Sequence, residues 1–293
     1  MSILVATDFS ENAAEALRVA SAEARRRQTT LTVLHCVDSI SEKWEYLDET
    51  KPDARDRVTT AAHDHLVESY NQAVPREDQP KVDDFVVYEG HAAEGIVETA
   101  EQGDYDLLIV GSTGGGALAR MMLGSTAEEV VRTSKLPVLV VPKKGLGPIE
   151  DIVAPVDLSA CSEASLVAAA ERAKAEAATL GILHVSTLPA GAMTLMEWEP
   201  SEDDREAHRE FRSRQMERFL EELDLEEVEY DTLLRFGAPH RLIVEVARER
   251  ESDLIVMGTH GRRGFERFFL GSTASKVLRR MPCPVLAIPY KEE

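Results

Sequence analysis

Two stretches combine glycines and hydroxyls at the same spacing. The first reads Gly111-Ser112-Thr113-Gly114, nine residues, then Gly124-Ser125-Thr126. The second reads Gly258-Thr259-His260-Gly261, nine residues, then Gly271-Ser272-Thr273. Such residues between a strand and a helix suit the holding of phosphate. Glycines let the main chain turn sharply and approach a ligand, the first N–H groups of a helix lack intrahelical acceptors, and hydroxyls add donors. A helix terminus favours an anion by only about 0.3–1 kcal/mol, so holding a triphosphate takes several charge-assisted N–H bonds.

Two aspartates stand in corresponding places, Asp8 and Asp157, each after a short apolar run. Either could accept hydrogen bonds from ribose hydroxyls or reach a Mg²⁺ through water. The alternative is a strand-end residue that bonds N–H groups of the next helix. His260 lies inside the second loop and is a candidate for touching phosphate, whereas His35 and His184 read as packed strand residues. His63 and His65 are two apart on an expected helix, so they share no face and make a poor metal pair. Other signatures are missing: no GxxxxGK[ST], no GxGxxG after the first strand, no GxSxG, no HExxH, and no nucleophile paired with a base.

The elements that must position these groups repeat with them. Gly258 follows Gly111 by 147 positions, nearly half of the 293 residues, so the repeat marks a duplicated domain rather than a solenoid. In the first half, strands are expected at Ile3–Ala6, Leu31–Val37, Val82–Tyr88, Leu107–Val110 and Val138–Val141. Helices are expected near Glu11–Arg27, Ala54–Asn71, Ala92–Gln102 and Ser125–Ser134, with Ser10 capping the first. The second half repeats the order, with its first strand at Ile152–Ala154 and the others at Leu180–Ser186, Val228–Arg235, Leu254–Met257 and Val285–Ile288. Strands alternating with helices imply two α/β domains, residues 1–145 and 146–293, joined by a short Gly/Pro linker. Each should be a doubly wound, five-stranded parallel sheet of order 3-2-1-4-5, Rossmann-like in plan. Ligands in such sheets sit at the strand C-termini where the order reverses. Asp8 and Gly111 should therefore face one crevice, and Asp157 and Gly258 another.

Composition narrows the partners. A net charge of −20 opposes a general role on DNA or RNA and disfavours anionic membrane surfaces. No apolar run approaches the roughly 20 residues of a membrane span. Three cysteines without CxxC or zinc spacing, and a first strand with no basic segment before it, point to a reducing, cytoplasmic setting.

The pattern G-x₂-G-x₉-G-[ST], an aspartate after strand 1 and a Leu-His-Val or Leu-His-Cys strand resemble the universal stress protein family. The final strands Leu136-Pro137-Val138-Leu139-Val140-Val141-Pro142 and Cys283-Pro284-Val285-Leu286-Ala287-Ile288-Pro289 resemble that family's ending. Two copies resemble a tandem member, in which the nucleotide would be ATP, with or without Mg²⁺. The resemblance implies Asp8 and Asp157 near adenosine, and adenine against the main chain of Cys36, Val185, Val110 and Met257. Phosphates would lie among Gly111, Gly114, Gly124, Ser125 and Thr126, or among Gly258, Gly261, Gly271, Ser272 and Thr273. Family function is stress adaptation through nucleotide sensing and partner contacts. It also implies pairing of the two halves through their last strands, with a second copy of the chain as a further candidate partner. The second half carries Pro155, His260 and Arg262 where the first has Ala6, Thr113 and Gly115, so tighter ATP binding is expected there. Arg120 and Arg267 correspond and could steer phosphate in both halves. Two alternatives use the same residues: a slow ATP hydrolase, and an interaction module with vestigial sites.

Overall fold

The computed structural model describes residues 2–37, 53–114, 123–187, 201–260 and 270–289. The segments holding Trp44 and Trp198, and the residues Gly115, Arg120, Gly261, Arg262 and Arg267, lie outside the described residues. The chain divides into two compact units, Met1–Leu146 and Gly147–Glu293.

The first unit runs β1 (Ser2–Ala6), α1 (Glu11–Arg26), β2 (Thr30–Val37), α2 (Ala54–Ala73), β3 (Val82–Glu89), α3 (Ala92–Gln102), β4 (Tyr105–Gly111), α4 (Ser125–Thr133) and β5 (Val138–Val141). The second runs β6 (Asp151–Val156), α5 (Ala160–Glu176), β7 (Thr179–Ser186), α6 (Glu202–Glu221), β8 (Tyr230–Phe236), α7 (Pro239–Glu249), β9 (Leu254–Gly258), α8 (Ser272–Leu278) and β10 (Val285–Ile288). Strand order is β3-β2-β1-β4-β5 in one unit and β8-β7-β6-β9-β10 in the other. The pairs within each unit are parallel. This is the doubly wound order expected from the sequence.

Central strands bury both faces, so they read as unbroken apolar runs: Ile3, Leu4 and Val5 are fully buried, and so are Ile152 and Val153. Helix α1 packs through Ala13, Ala16, Leu17, Ala20 and Ala24, all buried at helical spacing. Its small side chains let the helix lie close to β1 and β4. Helix α6 is different: among its residues only Met216 is buried.

One strand boundary corrects the sequence reading. The strand expected at Ile152–Ala154 is longer: β6 begins at Asp151 and continues through Pro155 to Val156. Pairing with β7 persists to Val156↔His184, whereas pairing with β9 stops at Val153↔Ile255. In the first unit the matching seam runs on to Ala6↔Val110. Pro155 has no N–H to give a neighbouring strand, which accounts for the early end of the β6–β9 ladder.

Candidate functional site

Each crevice begins with a strained turn. Phe9 and Leu158, the residues after the two aspartates, hold left-handed backbones at φ 64° and 61°. A non-glycine residue there costs about 1–3 kcal/mol, so the surroundings must hold it in place. They do so through hydrogen bonds. Ser10 N–H donates to Asp8 Oδ1 at 3.1 Å, and Ser159 N–H donates to Asp157 Oδ1 at 3.2 Å. The serine hydroxyls then cap the following helices, accepting from Ala13 N–H at 3.2 Å and Ser162 N–H at 3.3 Å. Both aspartates thus do bond the N–H group leading into the next helix, as the structural alternative required. Asp8 is exposed and Asp157 half-buried.

The histidines set this turn from the side. His35 Nδ1 donates to the Thr7 carbonyl at 2.8 Å, and His184 Nδ1 donates to the Val156 carbonyl at 2.8 Å. A carbonyl can only accept, so Nδ1 carries the proton in both rings. Each ring ties β2 or β7 to the residue just before the aspartate. They are packed strand residues, and they position the carboxylates.

The glycine loops are clamped at their base. Ser112 N–H donates to Val141 O at 2.8 Å, and Gly124 N–H returns to Ser112 O at 2.8 Å. The second loop repeats this through Thr259 N–H to Ile288 O at 3.0 Å and Gly271 N–H to Thr259 O at 2.8 Å. The reason for the first glycine differs from the sequence expectation of a sharp turn. No motif glycine among the described residues has a positive φ, and Gly111 and Gly258 are the last residues of β4 and β9. A Cβ on Gly111 would stand 3.1 Å from the Asn12 carbonyl carbon, and one on Gly258 would stand 2.9 Å from Cys161 Sγ. These glycines let a helix start pass close to a strand end.

The helix residues beneath the loops differ between halves. Asn12 Nδ2 donates to the Thr113 carbonyl at 3.2 Å and also to the Thr113 hydroxyl. Cys161 takes the corresponding place in α5. Burial pushes its thiol pKa up, opposed by a hydrogen bond with the His260 main chain, and Asp157 raises it further, so the thiol stays protonated at neutral pH. His260 Nδ1 lies 2.8 Å from Thr259 Oγ1, and its Nε2 is buried with no hydrogen-bond partner among the described residues.

The fold brings the sequence-selected residues together in two groups. Asp8, Cys36, Val110, Gly111, Gly114, Gly124, Ser125 and Thr126 line a cavity of 220 Å³ in the first unit. Pro155, Asp157, Val185, Met257, Gly258, His260, Gly271, Ser272 and Thr273 line one of 580 Å³ in the second. Gly261 and Arg262 lie outside the described residues. Sequence reasoning missed the apolar walls: Ala92 and Ile96 in one cavity, Pro239 and Ile243 in the other. Both pairs sit at the start of the helix that follows the edge strand, a position that the doubly wound topology places over the switch point. Among the described residues no cluster of three or more His, Cys, Asp or Glu side chains could hold a metal ion, and no helix is long and apolar enough to cross a membrane.

Two parallel α/β units, each with a crevice at its strand-order switch, define a tandem doubly wound protein. The chain belongs to the universal stress protein family, whose model matches residues 1–142 and again 148–289. It is similar to a universal stress protein of Mycolicibacterium smegmatis, 24% identical over 98% of this chain and 96% of that one. A universal stress protein of Methanocaldococcus jannaschii is 46% identical over 67 residues, 22% of this chain and 39% of that one. Among solved structures, a universal stress protein from Archaeoglobus fulgidus superposes with a TM-score of 0.64 at 23% identity, covering 98% of both chains.

Proposed function

We propose that this protein binds an adenine nucleotide, ATP in the second unit above all, and acts in the cytoplasm as a nucleotide-linked regulator of stress adaptation. The observation that carries the reading is the cavity of 580 Å³ lined by Asp157, His260, Ser272 and Thr273 at the strand-order switch. Its volume falls in the range of about 300–1,000 Å³ usual for small-molecule sites, and its lining combines apolar side chains with several polar groups. The unpartnered His260 Nε2 fits an anionic or hydroxyl-bearing ligand, because a buried ring nitrogen without a partner costs free energy until one arrives.

In this reading adenine lies against Pro155, Val185 and Met257, and Asp157 Oδ2 faces the ribose hydroxyls. The phosphates meet His260, Ser272 and Thr273, with Gly258, Gly261, Gly271 and Arg262 beside them. Asp8, Cys36, Val110, Gly111, Gly114, Gly124, Ser125 and Thr126 have the corresponding roles in the first unit. In this reading the nucleotide acts as a signal rather than as a substrate turned over quickly. Pairing of the halves through β5 and β10, and association with a second copy, belong to the same proposal.

Acid extraction of the purified protein should release an adenine nucleotide, or the stripped protein should bind added ATP in calorimetry. Asp157→Ala should weaken the tighter site while leaving the weaker one unchanged. Empty protein that binds no ATP refutes the proposal, and so does tighter binding that survives loss of Asp157 but disappears with Asp8.

A further inference from the structure

We infer that the first crevice selects an adenine nucleoside or its monophosphate over ATP, and that Asn12 is the residue that enforces this choice. The inference rests on the proposal that both crevices accept adenine ligands, and it divides them by phosphate length.

Two differences between the halves, and one feature of the first, lead there. The first is room. The first cavity measures 220 Å³ against 580 Å³ in the second. It is smaller than most small-molecule sites, which run to about 300 Å³ and above. The β1–β4 ladder of the first unit pairs up to Ala6↔Val110, whereas the β6–β9 ladder of the second stops at Val153↔Ile255.

The second difference is the latch. The Asn12 amide donates to both the carbonyl and the hydroxyl of Thr113, fastening the start of the glycine loop onto α1. Thr113 stands where the second half has His260. The main chain of that residue bonds the sulfur of Cys161 in α5, its Nδ1 lies 2.8 Å from Thr259 Oγ1, and its Nε2 has no partner among the described residues. A triphosphate that needs the first loop to move, or needs the Thr113 hydroxyl, must break a two-pronged hydrogen bond.

The feature of the first crevice is charge. The Asp8 carboxylate stands against Gly114, with Oδ2 in the space where a side chain on Gly114 would begin. Each phosphate beyond the first would bring further negative charge toward that oxygen. Repulsion at such short range is screened little by salt.

The intact chain can report on both sites at once, because Ile96 lines the first cavity and Ile243 the second. With isoleucine methyl groups labelled, adenosine, AMP and ATP are titrated separately and followed by NMR at these two residues. The Ile96 methyl should respond to adenosine or AMP with an affinity about tenfold or more above that for ATP, a gap of roughly 1.4 kcal/mol. Ile243 should respond to ATP. Asn12→Cys, which installs the residue type of the second half, should close the gap at Ile96 and leave the Ile243 titration unchanged. Thr113→Ala removes only the hydroxyl acceptor and should narrow the gap in part, and the remaining methyl spectrum of either variant reports whether the fold is kept. Equal affinity for AMP and ATP at Ile96 overturns the inference, as does a preference that outlasts both variants. A response at Ile243 with none at Ile96 overturns it while sparing nucleotide binding by the second unit. Silence at both residues removes the nucleotide reading as well.

Discussion

At the residue scale, the two copies of one motif use their first glycine for closeness rather than for turning. Gly258 ends β9 beside the start of α5, and an added Cβ would lie 2.9 Å from Cys161 Sγ and 3.2 Å from the Cys161 carbonyl oxygen. Cys161 is buried and short, so it has nowhere to retreat. Gly258→Ala should therefore destabilise the second unit by about 1–3 kcal/mol, the usual range for overpacking. At Gly124 the nearest atoms would be 3.5 Å away, an ordinary contact, so Gly124→Ala should cost at most about 1 kcal/mol, through the weaker N-cap alone. Urea midpoints of the two variants test the contrast, which fails if Gly124→Ala is the more damaging. The sequence announced that these positions are glycines. That Gly111 passes Asn12 and Gly258 passes Cys161 was settled by helices nearly a hundred residues away, out of reach of any local pattern.

At the element scale, helix α6 is legible in extent, expected near Asp203–Glu222 and found at Glu202–Glu221, but not in how it is anchored. It shows little apolar periodicity and buries only Met216, yet it is anchored at its middle by His208. The His208 Nε2 lies 3.0 Å from the buried Ser186 hydroxyl at the end of β7, and its ring lies 5.6 Å from Phe236 of β8. Burial, and then Arg212, lower the His208 pKa below the usual 6.5. The fold therefore prefers the neutral ring, and the unfolded chain takes up the proton first as the pH falls. This contribution to stability is complete above 6.5 and is lost as the pH drops through 6.5 toward the lowered folded value. His240 on α7 is shifted the same way, by burial and then by Lys276, Arg280 and Arg241, so part of the acid sensitivity belongs to it. Thermal midpoints of the wild type and His208→Gln from about pH 8 to about pH 5 should converge toward acid pH, because only the wild type loses this histidine's contribution. Parallel curves would show that His208 does not titrate in this range. Strands were far easier to read, because burial on both faces imposes continuous apolar runs. The exception, β6, passes through Pro155, keeping its pairs with β7 while its ladder with β9 stops at Val153↔Ile255.

At the scale of the whole molecule, 53 acidic residues against 33 Lys and Arg leave a net charge of −20. Some of this charge is paired locally. Arg250 meets Asp151 at 2.7 Å and Asp231 at 2.9 Å across the start of the second sheet, where Gly181 leaves room for its guanidinium. The remainder repels itself across the surface. Raising ionic strength from about 0.01 M to about 0.1 M shortens the screening length from roughly 30 Å to roughly 10 Å, so the thermal midpoint should rise over that interval. ATP affinity of the second site should change less than surface repulsion alone predicts, because the groups that meet the phosphate act at contact distance. A midpoint that falls with salt would mean that surface ion pairs outweigh the repulsion.

The sequence by itself determined that there are two units, that each is a parallel doubly wound sheet, and which aspartate, glycines and hydroxyls meet at each switch point. Those properties follow from repeat spacing, from apolar runs of strand and helix length, and from a topology with few alternatives. Only the tertiary structure decided that the two crevices differ in size, 220 Å³ against 580 Å³. The length of the β1–β4 and β6–β9 seams, the Asn12 latch on Thr113 and the bond between Cys161 and the His260 main chain depend on contacts between residues about a hundred positions apart. Such contacts are set when strands choose their register and helices settle on them, and a repeated motif does not record which side chain will lie beneath each copy.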